Sequence, residues 1–337
     1  MRLLLPGLWS AGARRPPGHR GGEPVTDPCN VIVLQGGQSL EAEISRVSAA
    51  QVAAGLESAG HRVTRLEVDR EAPVRLAEAR PDVVFPALHG PPGEDGTVQG
   101  LLDILQLPYV GGGVAASAAA MDKICAKALF RRAGLPVADD VVLFPGIAAE
   151  DAAARIIDAL GDQVVIKPSG QGSAIGIARL PKATEIAAAV ADGLKLGSVI
   201  AEPFITGREI TVGVLDLHGQ APHAFPVIEI RTAPGEWYDA VNRYQAGASE
   251  HVIPAPLPAT VNAELQRIAI AAHRALGLRD LSRADFIVSD DEGIHLLEVN
   301  SLPGMTPTSL YPDGARADGL EFPELLDALV GSALERG

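Results

Sequence analysis

The feature that most constrains the fold is an alternation of short apolar runs with helical segments, which begins at Asn30. The run NVIVLQ ends in Gly36–Gly37, and a helical segment capped at Ser39 and stopped at Gly60 follows it. Further strand-like runs lie at 61–68 and 82–90. Buried strands that alternate with helices and deliver loops at their ends are typical of a doubly wound parallel sheet. We therefore predict an N-terminal α/β domain.

The length of 337 residues is too great for one ordinary core and indicates two or three domains. A second alternation of helices and strands begins near Met121, and a third begins near Arg208. We expect four parts, with these bounds: a flexible leader at 1–28, an N-terminal substrate domain at 29–120, a central subdomain at 121–205 and a C-terminal subdomain at 206–337. The leader is rich in Pro, Gly and Arg, and a targeting role stays open as an alternative.

Charge and composition exclude several classes of function. The net charge of -14 disfavours a protein that grips a nucleic acid along its surface, although a local basic pocket for small phosphorylated ligands stays open. No apolar run reaches the length of a membrane helix. The two cysteines form no disulfide framework, so we expect a cytoplasmic location. From the charge and the lack of a long apolar run, we expect neither a nucleic-acid nor a membrane partner.

The segment RADFIVSDDEGIHLLEVN predicts a β-hairpin with its turn at SDDEG. A symmetric hairpin centred between Asp291 and Glu292 places Asp285 opposite Glu298, and Asn300 shares a sheet face with Glu298. Three oxygen ligands that converge in this way suit a hard cation such as Mg²⁺. An exposed polar strand face remains the alternative, and a turn shifted by one residue would disturb the alignment.

A glycine-rich loop follows a strand-borne lysine in VVIKPSGQGSAIG. Its backbone N–H groups can cradle phosphate oxygens while Lys167 supplies charge, although no Gly-Lys-Ser/Thr of a Walker A loop ends it. Lys123, Glu202 and Glu209 are further candidates. Taken alone, Lys123 is better explained as a solvated surface lysine, and Glu202 and Glu209 can be explained as a carboxylate on an edge strand and one in a turn.

Together these stretches resemble the D-alanine–D-alanine ligases of the ATP-grasp superfamily. The resemblance runs from about residue 30 to the C-terminus, and its most specific motifs are LHGPPGEDGTVQG and LLEVNSLPGMTPTSL. It implies an α/β (α+β) ATP-grasp fold with the N-terminal parallel-sheet domain. It also implies a ligase that uses ATP to join two D-alanines through a D-alanyl phosphate, for peptidoglycan precursor synthesis.

The resemblance assigns one group of residues to ATP and to Mg²⁺ or Mn²⁺, with two ions expected. The metal ligands are Asp285, Glu298 and Asn300. Lys123, Lys167 and the loop at Gly172 contact the phosphates of ATP, Glu202 lies along the adenine, and Glu209 contacts the ribose.

A second group is assigned to the amino acids. The resemblance places His89 near the first D-alanine, Glu41 at the ammonium of that D-alanine, and Glu94 in the hydrogen-bond network around them. It gives Arg283 and the Gly304 N–H the task of stabilising the oxyanion of the tetrahedral intermediate. Ser309 and Leu310 receive the carboxylate of the second D-alanine. Glu41, Ser173 and Tyr244 form a hydrogen-bonded set, and residues 232–250, with Arg243, form a lid that excludes water.

The chain departs from the family pattern at three positions. Arg243 stands where lysine is usual, Ala174 where a second serine is common, and Pro203 where lysine is frequent. We expect D-alanine as the acceptor because Tyr244 is retained. The alternatives are a ligase that uses D-lactate, D-serine or natural-product amino acids, and a nucleotide-binding homologue without ligase activity. The presence of Arg283 and all metal ligands argues against the homologue without ligase activity. The resemblance also implies a homodimer.

Overall fold

The computed structural model describes residues 26–39, 41–172, 175–233 and 247–337. Among the predicted features, Ser173, Ala174, Arg243 and Tyr244 lie outside the described residues, as do residues 1–25 of the leader and 234–246 of the lid. The described chain forms three β-sheets covered by helices. The expected mixed α/β architecture is therefore confirmed.

The N-terminal sheet is parallel, with strand order β2-β1-β3. Its elements are β1 (Asn30–Gln35), α1 (Ala42–Ser58), β2 (Arg62–Glu67), α2 (Ala72–Ala79) and β3 (Val83–Pro86), followed by α3 (Thr97–Ile104), α4 (Val114–Met121) and α5 (Lys123–Arg132). The doubly wound parallel sheet is as predicted. Helices α2 and α4 were not predicted, because each is only eight residues long and has no side-chain cap.

The central sheet is antiparallel, with strand order β4-β7-β5-β6. Its elements are β4 (Val141–Leu143), α6 (Ala149–Leu160), β5 (Val164–Pro168), β6 (Ala178–Leu180), α7 (Ile186–Gly193) and β7 (Val199–Pro203). Helices α6 and α7 cover it and bury one apolar cluster with it, which includes Ile156, Ile166 and Val190. The glycine-rich loop leaves the end of β5.

The C-terminal sheet is also antiparallel, with strand order β11-β10-β8-β12-β13 and with β9 paired to β8. Its elements are β8 (Arg208–Asp216), β9 (His223–Ala224), β10 (Ile228–Thr232), β11 (Ser249–Val252), α8 (Ala259–Leu276), β12 (Asp280–Ser289), β13 (Gly293–Asn300), α9 (Leu310–Ala317) and α10 (Phe322–Arg336). No helix among the described residues is long and apolar enough to cross a membrane.

The hydrophobic cores cross the predicted domain limits. Ala126 and Phe130 of α5 are buried with Phe286 beneath the C-terminal sheet, so the boundary drawn at residue 121 separates this helix from the core that it helps to form. At the other end of the chain, Leu325 and Leu329 of α10 pack beneath the N-terminal sheet. Each hydrophobic core therefore combines residues from distant parts of the chain.

The packed chain also begins earlier than the predicted end of the leader at residue 28. Thr26 lies against Gly331 of α10, and its hydroxyl donates a hydrogen bond to the Asp327 carboxylate. Asp327 is buried and also lies 3.1 Å from His61 Nε2. Thr26 thus belongs to the folded part of the chain.

The β12–β13 hairpin combines a turn that differs from the prediction with the pairing that was predicted. Ser289 pairs with Gly293, so the turn is centred on Asp291, half a residue before the expected point. A bulge at Leu297 then restores the register, because Phe286 pairs with Leu296 whereas Asp285 pairs with Glu298. The facing carboxylates of the prediction are therefore confirmed.

Candidate active site

A cleft lies where loops and strand ends of all three sheets meet. It brings together most of the predicted site residues, namely Glu41, His89, Glu94, Lys123, Gly172, Arg283, Glu298, Asn300, Gly304, Ser309 and Leu310. Asp285 lies beside these residues on β12, and Lys167, Glu202 and Glu209 lie on β5, β7 and β8. Residues more than 200 positions apart in sequence thus form one site.

The loop after β3 places a neutral imidazole and a carboxyl of raised pKa in the cleft. His89 Nε2 lies 3.0 Å from the Ser48 hydroxyl. Burial, with Arg283 nearby, lowers the pKa of His89 to about 4, so it is uncharged at neutral pH. Burial raises the pKa of Glu94 to about 7, and the nearby Glu41 adds to this, whereas the Gly90 N–H, which donates to Glu94 at 2.8 Å, opposes it.

Glu41 precedes α1 and is buried where two loops approach each other. A Cβ atom at Gly90 would lie 3.0 Å from Glu41 Oε2, and one at Gly172 would lie 3.3 Å from the same oxygen. Gly90 also has a φ of +63°, a conformation that favours glycine. The two glycines therefore let the backbone close around this carboxylate from the N-terminal domain and the glycine-rich loop.

The N-terminus of α9 forms the opposite wall of the cleft. The Ser309 hydroxyl accepts a hydrogen bond from the Thr306 N–H at 2.9 Å, and a Cβ atom on Gly304 would approach the Ser309 oxygen to 2.9 Å. Tyr311 anchors the helix, since its hydroxyl donates to the Val214 carbonyl at 3.1 Å. A helix start of this kind offers N–H groups and a positive dipole end to a carboxylate.

The hairpin residues fit the donor set of a hard cation. Asp285 accepts hydrogen bonds from the Thr211 hydroxyl at 2.6 Å and from the Asn300 amide at 3.1 Å, so its carboxylate has a fixed orientation. Glu298 Oε2 lies 3.3 Å from Lys123 Nζ. No group of three or more His, Cys, Asp and Glu side chains that could hold a metal occurs in the described part of the chain. A cation here would therefore also need the amide oxygen of Asn300.

The residues predicted for the nucleotide include a buried ionic cluster. Glu202 contacts Lys167, as the strand pairing allows, and also Lys127, which the sequence analysis missed. Burial raises the pKa of Glu202, but the two lysines more than offset this and hold its pKa at about 2. Glu209 accepts a hydrogen bond from Arg179 at 3.1 Å. The spacing of Lys127, four residues after Lys123 on one helix face, was the available signal.

A parallel-sheet domain joined to two antiparallel sheets, with lysines and acidic side chains converging on the cleft between them, is the arrangement of an ATP-grasp enzyme. Comparisons with known sequences agree with this class. The family description "D-ala D-ala ligase N-terminus" matches residues 67–112, and "D-ala D-ala ligase C-terminus" matches residues 129–331. The chain belongs to the D-alanine–D-alanine ligase family.

Relatives and solved structures extend this similarity over nearly the whole chain. A D-alanine–D-alanine ligase of Desulforudis audaxviator is 44% identical over 90% of this chain and 98% of its own length. One from Acidiphilium cryptum is 45% identical over 90% and 98%. The structure of the Coxiella burnetii ligase superimposes with a TM-score of 0.78 at 30% identity, covering 92% of this chain and 95% of that one. The Bacillus anthracis ligase complexed with ATP gives 0.77 at 28% identity, covering 91% and 98%.

Proposed function

We propose that this chain joins two D-alanine molecules to form D-alanyl-D-alanine at the expense of ATP, for the synthesis of peptidoglycan precursors. The observation that carries the proposal is the cleft in which Glu41 of the N-terminal domain meets Arg283 and Ser309 of the C-terminal part of the chain. The relatives named as D-alanine–D-alanine ligases, similar over 90% of the chain, support it.

The proposed reaction has two steps. The carboxylate of the first D-alanine attacks the γ-phosphate of ATP, which yields an acyl phosphate and ADP. The amine of the second D-alanine then attacks the acyl carbonyl and expels phosphate. Neither step needs a covalent bond to the protein, so the side chains act by orienting the reactants and by stabilising charge.

The side chains of the cleft suit these tasks. Glu41 would bind the ammonium of the first D-alanine, because it is a carboxylate buried at the edge of the cleft. Arg283 and the Gly304 N–H would stabilise the oxyanion of the tetrahedral intermediate. Ser309 and the N-terminus of α9 would receive the carboxylate of the second D-alanine. His89, being neutral, adds no second cation beside Arg283.

Asp285, Glu298 and Asn300 would hold Mg²⁺ or Mn²⁺, and two ions are expected. When bound, the metal would offset the negative charge of the ATP phosphates. Lys123 and Lys167 would add fixed positive charge on the same phosphates, and Glu209 would contact the ribose. By the family resemblance, Ser173, Arg243 and Tyr244 would take part on the acceptor side, with Arg243 and Tyr244 as members of the lid.

We further propose that the protein acts in the cytoplasm as a homodimer. Cys29 and Cys125 are both free thiols, which suits a reducing compartment where ATP is present. Size-exclusion chromatography with light scattering would test the dimer directly.

The deciding experiment supplies the protein with ATP, Mg²⁺ and equal amounts of D-alanine, D-lactate and D-serine at neutral pH, and identifies products by mass. We expect D-alanyl-D-alanine to dominate and ADP to form only when D-alanine is present. A predominantly ester product would contradict the assigned acceptor. ATP binding with no product from any acceptor would favour the nucleotide-binding homologue without ligase activity.

A further inference from the structure

Lys127 is a buried cation to which the proposed mechanism gives no part. Its side chain is 2% exposed, and its ammonium contacts the Glu202 carboxylate and lies 3.4 Å from Asp140 Oδ1. Lysine is almost never buried to this degree without a carboxylate partner. Burial lowers the pKa of Lys127, and the attraction of Glu202 opposes that effect. The lysine is thus held where it is by these acidic groups.

Glu202 is held from two sides. Its Oε1 accepts a hydrogen bond from Lys127, and its Oε2 accepts one from Lys167. Glu202 pairs with Val165 on β5 and Lys167 pairs with Ile200 on β7, so Lys167 and Glu202 project from the same face of the central sheet. Lys127 approaches from helix α5. The orientation of the carboxylate therefore depends on one strand neighbour and on one helix.

The Lys127–Glu202 pair links two separately packed units. Phe130 of α5 is buried in the core of the C-terminal sheet, whereas Glu202 stands on the central sheet. The same helix carries Lys123, which lies 3.3 Å from Glu298 of the hairpin. Helix α5 therefore contacts both the predicted metal ligand Glu298 and the predicted nucleotide residue Glu202 of β7.

We propose that Lys127 is a positioning residue for ATP, which acts through Glu202 and does not contact the nucleotide itself. By holding one oxygen of Glu202, Lys127 fixes the carboxylate and with it the resting place of the Lys167 ammonium. This inference rests on the proposed function, in which Lys167 contacts the phosphates of ATP, and on the family resemblance, which places Glu202 along the adenine. It adds the residue that sets their geometry.

The sign of the effect follows from the charges. Glu202 accepts hydrogen bonds from the ammonium groups of Lys127 and Lys167, and without Lys127 only the one from Lys167 remains of these two. The Glu202 carboxylate would then draw Lys167 away from the phosphates and leave more negative charge facing an anionic ligand. ATP binding should weaken, whereas the binding of D-alanine, on the other side of the cleft, should change little.

The test compares Lys127→Met with Lys127→Arg, which keeps the charge. We expect Lys127→Met to raise the Kd of ATP, measured by calorimetry without D-alanine, about tenfold or more, as loss of a charge-assisted hydrogen bond does. The KM of D-alanine should stay within about twofold, which separates a nucleotide effect from general damage. Lys127→Arg should recover part of the ATP affinity. The exposed Lys182 offers Lys182→Met as the matched control, with no change expected.

A second comparison keeps the proposal testable if Lys127→Met also lowers stability. The change is repeated in a Glu202→Gln background, where most of its effect on the Kd of ATP should disappear because Lys127 acts through Glu202. An equal effect in both backgrounds, or an unchanged Kd in folded Lys127→Met, would overturn the proposal. The calorimetry needs no D-alanine, so it tests the role of Lys127 even if the protein forms no dipeptide. ATP binding without dipeptide formation would refute the proposed ligase function but not the proposed role of Lys127.

Discussion

Arg283 and Asp285 lie two residues apart on β12 and form a two-point ion pair. The Arg283 Nε donates to Asp285 Oδ1 and an Nη donates to Oδ2, each at 2.8 Å. The residue assigned to the oxyanion therefore also orients the carboxylate assigned to the metal. The two roles proposed for this strand would therefore be coupled, and a change at Arg283 should affect both.

We expect Arg283→Lys to lower kcat for ligation roughly 100- to 1,000-fold, because a point ammonium cannot reproduce two parallel hydrogen bonds or the oxyanion contact. The Mg²⁺ concentration for half-maximal activity should rise as well, since Asp285 loses two of the hydrogen bonds that orient its carboxylate. Steady-state rates over a Mg²⁺ titration measure both. Arg267 makes the same two-point pair with Glu264 on the surface of α8, so Arg267→Lys is the matched control. A kcat close to that of the unmutated protein would contradict the assignment.

Glu298→Gln should abolish ligation while the fold persists. The substitution keeps the shape of the side chain but removes a negative charge that a cation and Lys123 would share. Metal-based charge stabilisation is worth several kcal/mol, on the order of 3 or more, so turnover should fall at least about 100-fold. Product formation at saturating Mg²⁺ and circular dichroism measure activity and fold. Near-normal turnover would refute the hairpin metal site.

Glu94→Gln should make stability less dependent on pH. The pKa of Glu94 is about 7 in the folded protein and lies near 4.5 when the chain is unfolded, so folding favours the protonated carboxyl. Its contribution is complete below pH 4.5 and is lost as pH rises through 7. Because the side chain partly faces the cleft, the loss is at most about 3 kcal/mol. Chemical denaturation at pH 5 and pH 8 should show that Glu94→Gln gains stability, relative to the unmutated protein, at the higher pH. An equal difference at both pH values would exclude the raised pKa.

Deletion of residues 1–24 should leave the melting temperature nearly unchanged, because Pro, Gly and Arg in that stretch can bury little. Thr26→Val, in contrast, should cost about 1–2 kcal/mol, since buried Asp327 loses a hydrogen-bond donor. Denaturation curves for the two variants make the comparison. A deletion that costs more than Thr26→Val would show that the leader packs on the core.

The sequence predicted the active-site hairpin correctly for a partly wrong reason. Alternation and turn residues located the strands and placed Asp285 opposite Glu298, but the turn is centred on Asp291 and a bulge at Leu297 compensates for the difference. A bulge has no clear local signature in this segment, because Leu297 continues the apolar pattern. The pairing of the two carboxylates, and not the exact turn, is what the proposed metal site would require.

Lys127 and α5 show what the sequence could not supply. The second alternation was predicted to begin near Met121, and helix α5 begins at Lys123 with Asp122 as its side-chain cap. Nothing local indicates that Phe130 packs beneath the C-terminal sheet while Lys127 meets Glu202 of the central sheet. These contacts join residues 75 and more positions apart, so they depend on how the sheets assemble. Local periodicity specifies an element, whereas the partner of each face is set by the whole fold.

The packing of α10 beneath the N-terminal sheet has a consequence for biosynthesis. Val31 and Val33 of the first strand share one core with Leu325 and Leu329 of the last helix. Synthesis must therefore reach Phe322–Arg336 before the first sheet, which α1 covers in part, can bury that face fully. Until Phe322–Arg336 emerges, the nascent N-terminal domain exposes an apolar surface that chaperones can bind. Premature termination anywhere upstream of α10 would thus leave a polypeptide that is incomplete at its beginning, and quality control would recognise it there.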